Sequence, residues 1–167
     1  GYVPVGMDPV SVRFRTNDDV WVVNHISDSV SIVDVPALNL TATISTRTPE
    51  SGAFPPGDEP VDFGDEPTDI VFAGSPIQAY ISCSQANVVI VVDPMNPTGG
   101  TVDHIDIVGE DPRAMAVSPD GTKVYVAIFE SGNESTILGG GADLGDGVID
   151  FPKNVVDDPN TPFFGVN

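Results

Sequence analysis

Three variant copies of one short stretch organise this chain: Gly6-Met7-Asp8-Pro9, Gly64-Asp65-Glu66-Pro67 and Gly109-Glu110-Asp111-Pro112. Each runs into a segment rich in β-branched residues, and the three prolines lie 58 and 45 residues apart. A self-similar unit of roughly 40 to 50 residues built from short strands is the pattern of a propeller blade, where four antiparallel strands make one sheet. The copies therefore predict an all-β fold, a β-propeller with about three four-stranded blades. A closed ring takes about 4 to 8 blades of about 40 to 45 residues, so the 167 residues predict an incomplete ring.

The first blade is expected over about residues 6–44. Val10 to Phe14 alternates apolar and polar residues, the period of a half-buried strand. Thr16-Asn17-Asp18-Asp19 supplies turn chemistry, and Val20 to Asn24, Ser29 to Asp34 and Leu38 to Ile44 read as the next three strands. A Pro-, Gly- and acid-rich stretch, Ser45 to Pro60, lengthens the first spacing and reads as an interblade loop. The second blade, about 61–107, repeats the plan with Thr68 to Phe72, Ala79 to Ser82, Val88 to Asp93 and Thr101 to Ile107. Asn24 to Asp34 and Cys83 to Asp93 are both ten residues. A third blade starts at 108, with the hairpin signal Ser118-Pro119-Asp120-Gly121 between Arg113 to Val117 and Lys123 to Ile128. From 131 to 167 the pattern gives way to an irregular acidic segment, read as an insertion or a tail.

Trp21-Val22-Val23-Asn24 with Asp28-Ser29-Val30-Ser31-Ile32-Val33-Asp34 resembles the repeat that names the YVTN β-propellers. In that family an aromatic-Val-x-Asn strand precedes an Asn/Asp-Ser-Val-Ser-Val-Ile-Asp strand. Ser118 to Val126 resembles the family's first hairpin, and the likeness covers about residues 2–130. Ser82-Cys83 and Ala127-Ile128 depart from the pattern at strand ends. The resemblance implies a secreted, periplasmic or cell-surface protein of the kind found in surface layers. It also implies relatives with lactonase, haem d1 or quinoprotein chemistry, and a shared fold does not choose among these functions.

The expected function is a non-catalytic, exported binding or structural module for a protein, glycan or cation. The alternative is part of an enzyme or redox subunit, lactonase-like or associated with a cytochrome or quinoprotein, whose chemistry lies outside this segment. Charge narrows the partners. With 25 acidic and 6 basic residues the net charge is −19, and the basic residues are scattered, so nucleic acid and anionic membrane surfaces are poor partners. The acidic excess fits solubility, adaptation to salt or cation binding. The lone Cys83 excludes an intrachain disulfide framework. No apolar run reaches the roughly 18 residues of a helical membrane span. Gly1 in place of an initiator Met reads as processing or trimming. Remaining blades, from the same or another chain, are expected to cover the apolar faces at the ends of the stack.

Several residues invite site readings. Asp8, Glu66 and Asp111 could form a ring of carboxylates, but they read chiefly as turn residues: Gly supplies a positive φ, Pro sets the strand entry, and the acid bonds the turn's amides. Asp34 and Asp93 read the same way. Asp143, Asp146 and Asp150 flank Gly147 in a loose calcium-type loop, without the one-three-five spacing of an EF-hand. Asn39-Leu40-Thr41 and Asn133-Glu134-Ser135 are glycosylation sequons. His25 and His104 occupy unlike positions and read as isolated surface histidines. Cys83 has neither a nucleophile elbow nor a spaced His beside it and reads as a buried thiol at a strand end. Trp21 and Phe72 read as core between blades. No catalytic or cofactor-binding residue is identified.

Overall fold

Alternating and β-branched segments become antiparallel strands wherever turn residues separate them, and in this chain they do so in two matching rounds. A computed structural model describes residues 1–49 and 62–130. The first sheet is a meander of β1 (Pro9–Phe14), β2 (Asp19–Asn24), β3 (Ser29–Asp34) and β4 (Asn39–Ser45). A two-residue ladder follows, β5 (Thr48–Pro49) against β6 (Asp62–Phe63). The second sheet runs β7 (Pro67–Ala73), β8 (Gln78–Cys83), β9 (Val88–Val92) and β10 (Thr101–Asp106), paired in that order, with a single 3-10 turn at Pro97–Gly99. A two-stranded hairpin, β11 (Glu110–Val117) and β12 (Val124–Glu130), completes the described elements. Among the described residues the fold is all-β, and its sheets are open rather than closed on themselves.

The two meanders match down to their irregularities. In each, the register slips at the second residue of the first strand, between Pro9 and Ser11 and between Pro67 and Asp69. Each slips again on the fourth strand, opposite Ile32/Val33 and between Thr101 and Asp103. Such bulges add local twist and leave one residue out of the ladder.

Packing explains why β9 departs from simple alternation. One face of the second sheet joins the first around Trp21, Val23, Val30, Ile32, Ile70 and Ile81. Its other face packs with Met115 through Val71 and Val89, with Tyr80, Val117 and Val124 alongside. A sheet buried on both faces needs a continuous apolar strand, and Val88-Val89-Ile90-Val91-Val92 is buried throughout. Trp21 is fully buried and meets Phe72 edge-on, with ring centroids 5.4 Å apart and planes at 87°, as expected for core between two sheets.

The Gly-acid-Pro stretches do different work from that expected. The acids themselves adopt left-handed backbone, with φ of 55° at Asp8, 53° at Glu66 and 63° at Asp111. Gly64 and Gly109 also have positive φ, but Gly6 does not. Gly6 is required by close approach: a Cβ there would lie 2.4 Å from the Ser27 hydroxyl oxygen and 2.7 Å from the Asn24 side chain. The acids' carboxylates are not the groups that hold the turns. Instead, Asp28 in the β2–β3 turn accepts a hydrogen bond from the Glu66 amide at 2.9 Å. Asn87, at the matching β8–β9 turn, accepts one from the Asp111 amide at 2.8 Å. Within each meander the main chain ties the entry to the end of its own second strand, since the His25 and Ser84 amides donate to the carbonyls of Asp8 and Glu66, both at 2.9 Å. A turn in one meander thus holds the entry to the next.

This latch makes a quantitative prediction. Asp28 and Asn87 both sit at left-handed φ, 44° and 55°, which Asp and Asn tolerate better than Ala. Asp28→Ala loses the bond to a buried-edge amide and adds backbone strain, about 2 kcal/mol together. Asp28→Asn should be close to neutral, because Asn87 performs the same role one unit later. Denaturant midpoints of the two variants check the contrast, and equal midpoints would sink the latch.

The predicted Pro-Asp-Gly hairpin forms. Gly121 has φ of 73° and donates to the Ser118 carbonyl at 2.8 Å. Asp120 accepts from the Ser118 hydroxyl at 2.5 Å, the Thr122 hydroxyl at 2.8 Å and the Thr122 amide at 3.1 Å. These bonds, the Ser118 hydroxyl first, lower its pKa from 3.8 to about 2. A depressed carboxylate stabilises the fold above its ordinary pKa and loses that contribution as pH falls through the folded value. Asp120→Ala should therefore melt below the parent protein at pH 7, with the gap shrinking between pH 4 and pH 2.

Candidate functional site

The first strands of the three sheets converge. β1 packs beside β7, and β7 beside β11. Between them runs a groove of about 630 Å³, lined in part by Asp8, Ser11, Arg13, His25, Thr68, Asp69 and Arg113. This volume lies within the roughly 300 to 1,000 Å³ of small-molecule sites.

Asp69 is the fixed point of the groove. It occupies the strand position that Ser11 holds in the first meander, directly after the bulge, and is 3 % exposed. Four groups converge on its carboxylate. The Ser11 hydroxyl donates at 2.5 Å, the Arg13 guanidinium sits 3.1 and 3.2 Å from its two oxygens, and the amides of Ile70 and Met115 donate at 2.9 and 2.8 Å. A buried carboxylate needs such a full set of donors to be tolerated. One side chain on β7 thereby ties down residues of β1 and β11. Beside it, the Thr68 and Ser82 hydroxyl oxygens lie 2.8 Å apart, and each is placed to donate its one hydrogen to a carbonyl of β11, that of Pro112 at 3.0 Å and that of Arg113 at 2.7 Å.

His25 belongs to this groove and is not an isolated surface residue. Its side chain is only 19 % exposed, and Nδ1 lies 3.1 Å from the Pro67 carbonyl, which can only accept, so Nδ1 carries the proton. Nε2 stands 3.7 Å from the Glu66 carboxylate. Arg113, on β11, is anchored by Asp111 at 2.6 Å. His104 lies elsewhere, on the exposed strand β10, 3.8 Å from Asp106.

The other expected residues are placed as follows. Asp34 and Asp93 cap their turns by accepting from the Ala37 and Met95 amides at 2.7 and 2.8 Å. Cys83 is fully buried at the end of β8. Burial, then the nearby charges of Asp28 and Asp65, push its thiol far above the ordinary range, which removes it as a nucleophile at neutral pH. Alkylation of the native protein by iodoacetamide should therefore be slower by at least about 100-fold than in denaturant. Asn39 is exposed at the start of the outer strand β4, and the Thr41 hydroxyl of its sequon donates to the Ile32 carbonyl at 3.0 Å. Asn133, Asp143, Asp146 and Asp150 lie outside the described residues. Among the described residues no group of three or more His, Cys, Asp or Glu side chains is arranged to hold a metal ion. No helix among them is long and apolar enough to cross a membrane.

Sequence reading missed Asp69. Thr68-Asp69 follows a proline at a strand entry, where Asp ordinarily marks a turn, and nothing local separates that role from a buried one. The available signal was positional: Ser11 and Ala114 occupy the matching sites, both small.

Matched antiparallel meanders, joined at their first strands around a groove of mixed polar and apolar lining, define an all-β protein of repeated sheet units. No protein-family model matches the chain, and no curated protein matches it. Among solved structures, the chain is similar to Kuenenia stuttgartiensis hydrazine synthase, with a TM-score of 0.58 at 16 % identity. The match takes in 83 % of this chain and 32 % of the other, so the chain spans about a third of that structure's length. At this identity the likeness is one of fold.

Proposed function

We propose that the chain contributes blades to a YVTN-type β-propeller, an exported or cell-surface module that binds or scaffolds and performs no catalysis itself. The observation that carries this reading is the neighbouring of β1, β7 and β11. Equivalent first strands that lie side by side while their meanders stack face to face are what blades around a common axis require. The matching bulges and the latch from each turn to the next unit support the same reading. So do the apolar side chains exposed towards the ends of the stack, Val12 and Phe14 on β1 and Tyr125 and Phe129 on β12. In this reading further blades cover them.

The partner of such a module is a protein, a glycan or a cation, with calcium on Asp143, Asp146 and Asp150 and glycans on Asn39 and Asn133 as its specific forms. The test uses the protein in its full natural length. Lactone hydrolysis and visible absorbance should stay at background, while a glycan array or calcium titration gives saturable binding. Turnover, or a haem or quinone spectrum intrinsic to the polypeptide, would replace the module with an enzyme.

A further inference from the structure

We propose that the groove between β1, β7 and β11 is a binding site for a small oxyanion, a carboxylate or phosphate held between Arg13 and Arg113. The inference goes beyond the module reading, which assigns no ligand to this groove. In a chain of net charge −19, cations are scarce, and the described residues hold Arg13, Arg15, Arg47, Arg113 and Lys123. Two of them line this groove. The other arginines are engaged elsewhere: Arg15 grips Asp19 through Nε and a terminal nitrogen, and Arg47 lies 3.6 and 3.4 Å from Asp28 and Asp65.

Both groove arginines are anchored at one edge and open at the other. Arg13 places one terminal nitrogen on Asp69 and the other on the Val12 carbonyl at 3.2 Å, yet its side chain is 46 % exposed. Arg113 places one terminal nitrogen on Asp111 and is 51 % exposed. A guanidinium carries five N–H donors in a rigid fork, so each retains donors after its anchor is satisfied. Asp69 and Asp111 each offset the charge of one arginine, so a ligand is held by the N–H donors left over rather than by a net positive charge. Anchoring removes much of the side-chain entropy that a free arginine would lose on binding. Asp8 is a further opposing charge. It lines the same groove and is exposed, so it weakens the attraction for an anion and sets its upper limit.

Titration of the full 167-residue chain with citrate at low salt, followed by NMR of the arginine Nε–Hε signals, tests the site. Saturable shifts are expected at Arg13 and Arg113 and not at Arg15 or Arg47, with chloride at equal ionic strength as the control. Arg113→Gln should weaken citrate roughly tenfold or more. Asp8→Asn should tighten it roughly twofold to threefold, and Asn suits the left-handed backbone at that position. The Asp8 variant keeps the test independent of Arg13→Gln, which also removes a donor from buried Asp69 and so mixes a structural change with the loss of a ligand contact. Inorganic phosphate as a second titrant decides which oxyanion the groove prefers. Uniform shifts at all arginines, or an unchanged affinity in both Arg113→Gln and Asp8→Asn, would overturn the site. Neither result bears on the module reading, which rests on the turnover and spectral tests of the full-length protein.

Discussion

Asp69→Ala should lower the melting temperature by roughly 6 to 12 °C, on a cost of about 3 kcal/mol and the usual 2 to 4 °C per kcal/mol for a chain of this size. The carboxylate is buried, and its removal leaves the Ser11 hydroxyl and the Met115 amide without their acceptor. Unsatisfied buried donors keep their full desolvation cost. Asp69→Asn should cost nearly as much, since the amide nitrogen presents hydrogens where two or more donors already point. Arg13→Ala should cost clearly less: Arg13 is half exposed, and three donors remain on Asp69. Differential scanning calorimetry on the three variants gives the ranking, and hydrogen exchange locates it. The Met115 amide should exchange faster in both Asp69 variants. An Asp69→Ala melting point within 2 °C of the parent would show that the three first strands hold together without this hub.

The second large effect is expected at Trp21, whose replacement by Ala should cost about 3 to 5 kcal/mol. Its side chain is fully buried between the first and second sheets, and the edge-on contact with Phe72 joins β2 to β7. Trp21→Phe should recover more than half of that cost. Among the described residues the buried indole N–H has no hydrogen-bond partner, so the phenyl ring loses area and no polar bond. Because Trp21 is the single tryptophan of the chain, its emission reports the sheet interface directly. A blue-shifted native spectrum that moves to the red in the same transition as the circular dichroism signal is expected. A native spectrum already red-shifted would mean that the two sheets do not close on this residue.

The architecture was legible where it depends on local period and punctuation. The strands around Val12, Val22, Ile32 and Ala42 follow from alternation and turn residues, and those of the second meander from the repeated ten-residue step. The Pro-Asp-Gly hairpin follows from turn chemistry alone. The groove was not legible, because Arg13 and Asp69 are 56 residues apart and meet only when two sheets stack. Left-handed backbone fell on all three acids and on two of their glycines, and at Glu66 and Asp111 the latch from Asp28 or Asn87 fixes the acid's amide from outside the turn. His25 looked solitary for a similar reason. Its partners, Pro67 and Glu66, belong to the following unit.

The latch also sets where this chain tolerates cutting and copying. Each link is made by a turn in one unit and an amide at the threshold of the next, so the unit of heredity need not coincide with the sheet. A duplication or deletion whose endpoints fall at equivalent positions, after Asp28 and after Asn87 for example, returns every turn to an acid-Pro threshold and preserves the chain of links. One that begins at Pro67 and ends inside the β8–β9 turn severs a link although it spares whole strands. Phase, more than length, decides which rearrangements of such a gene still fold.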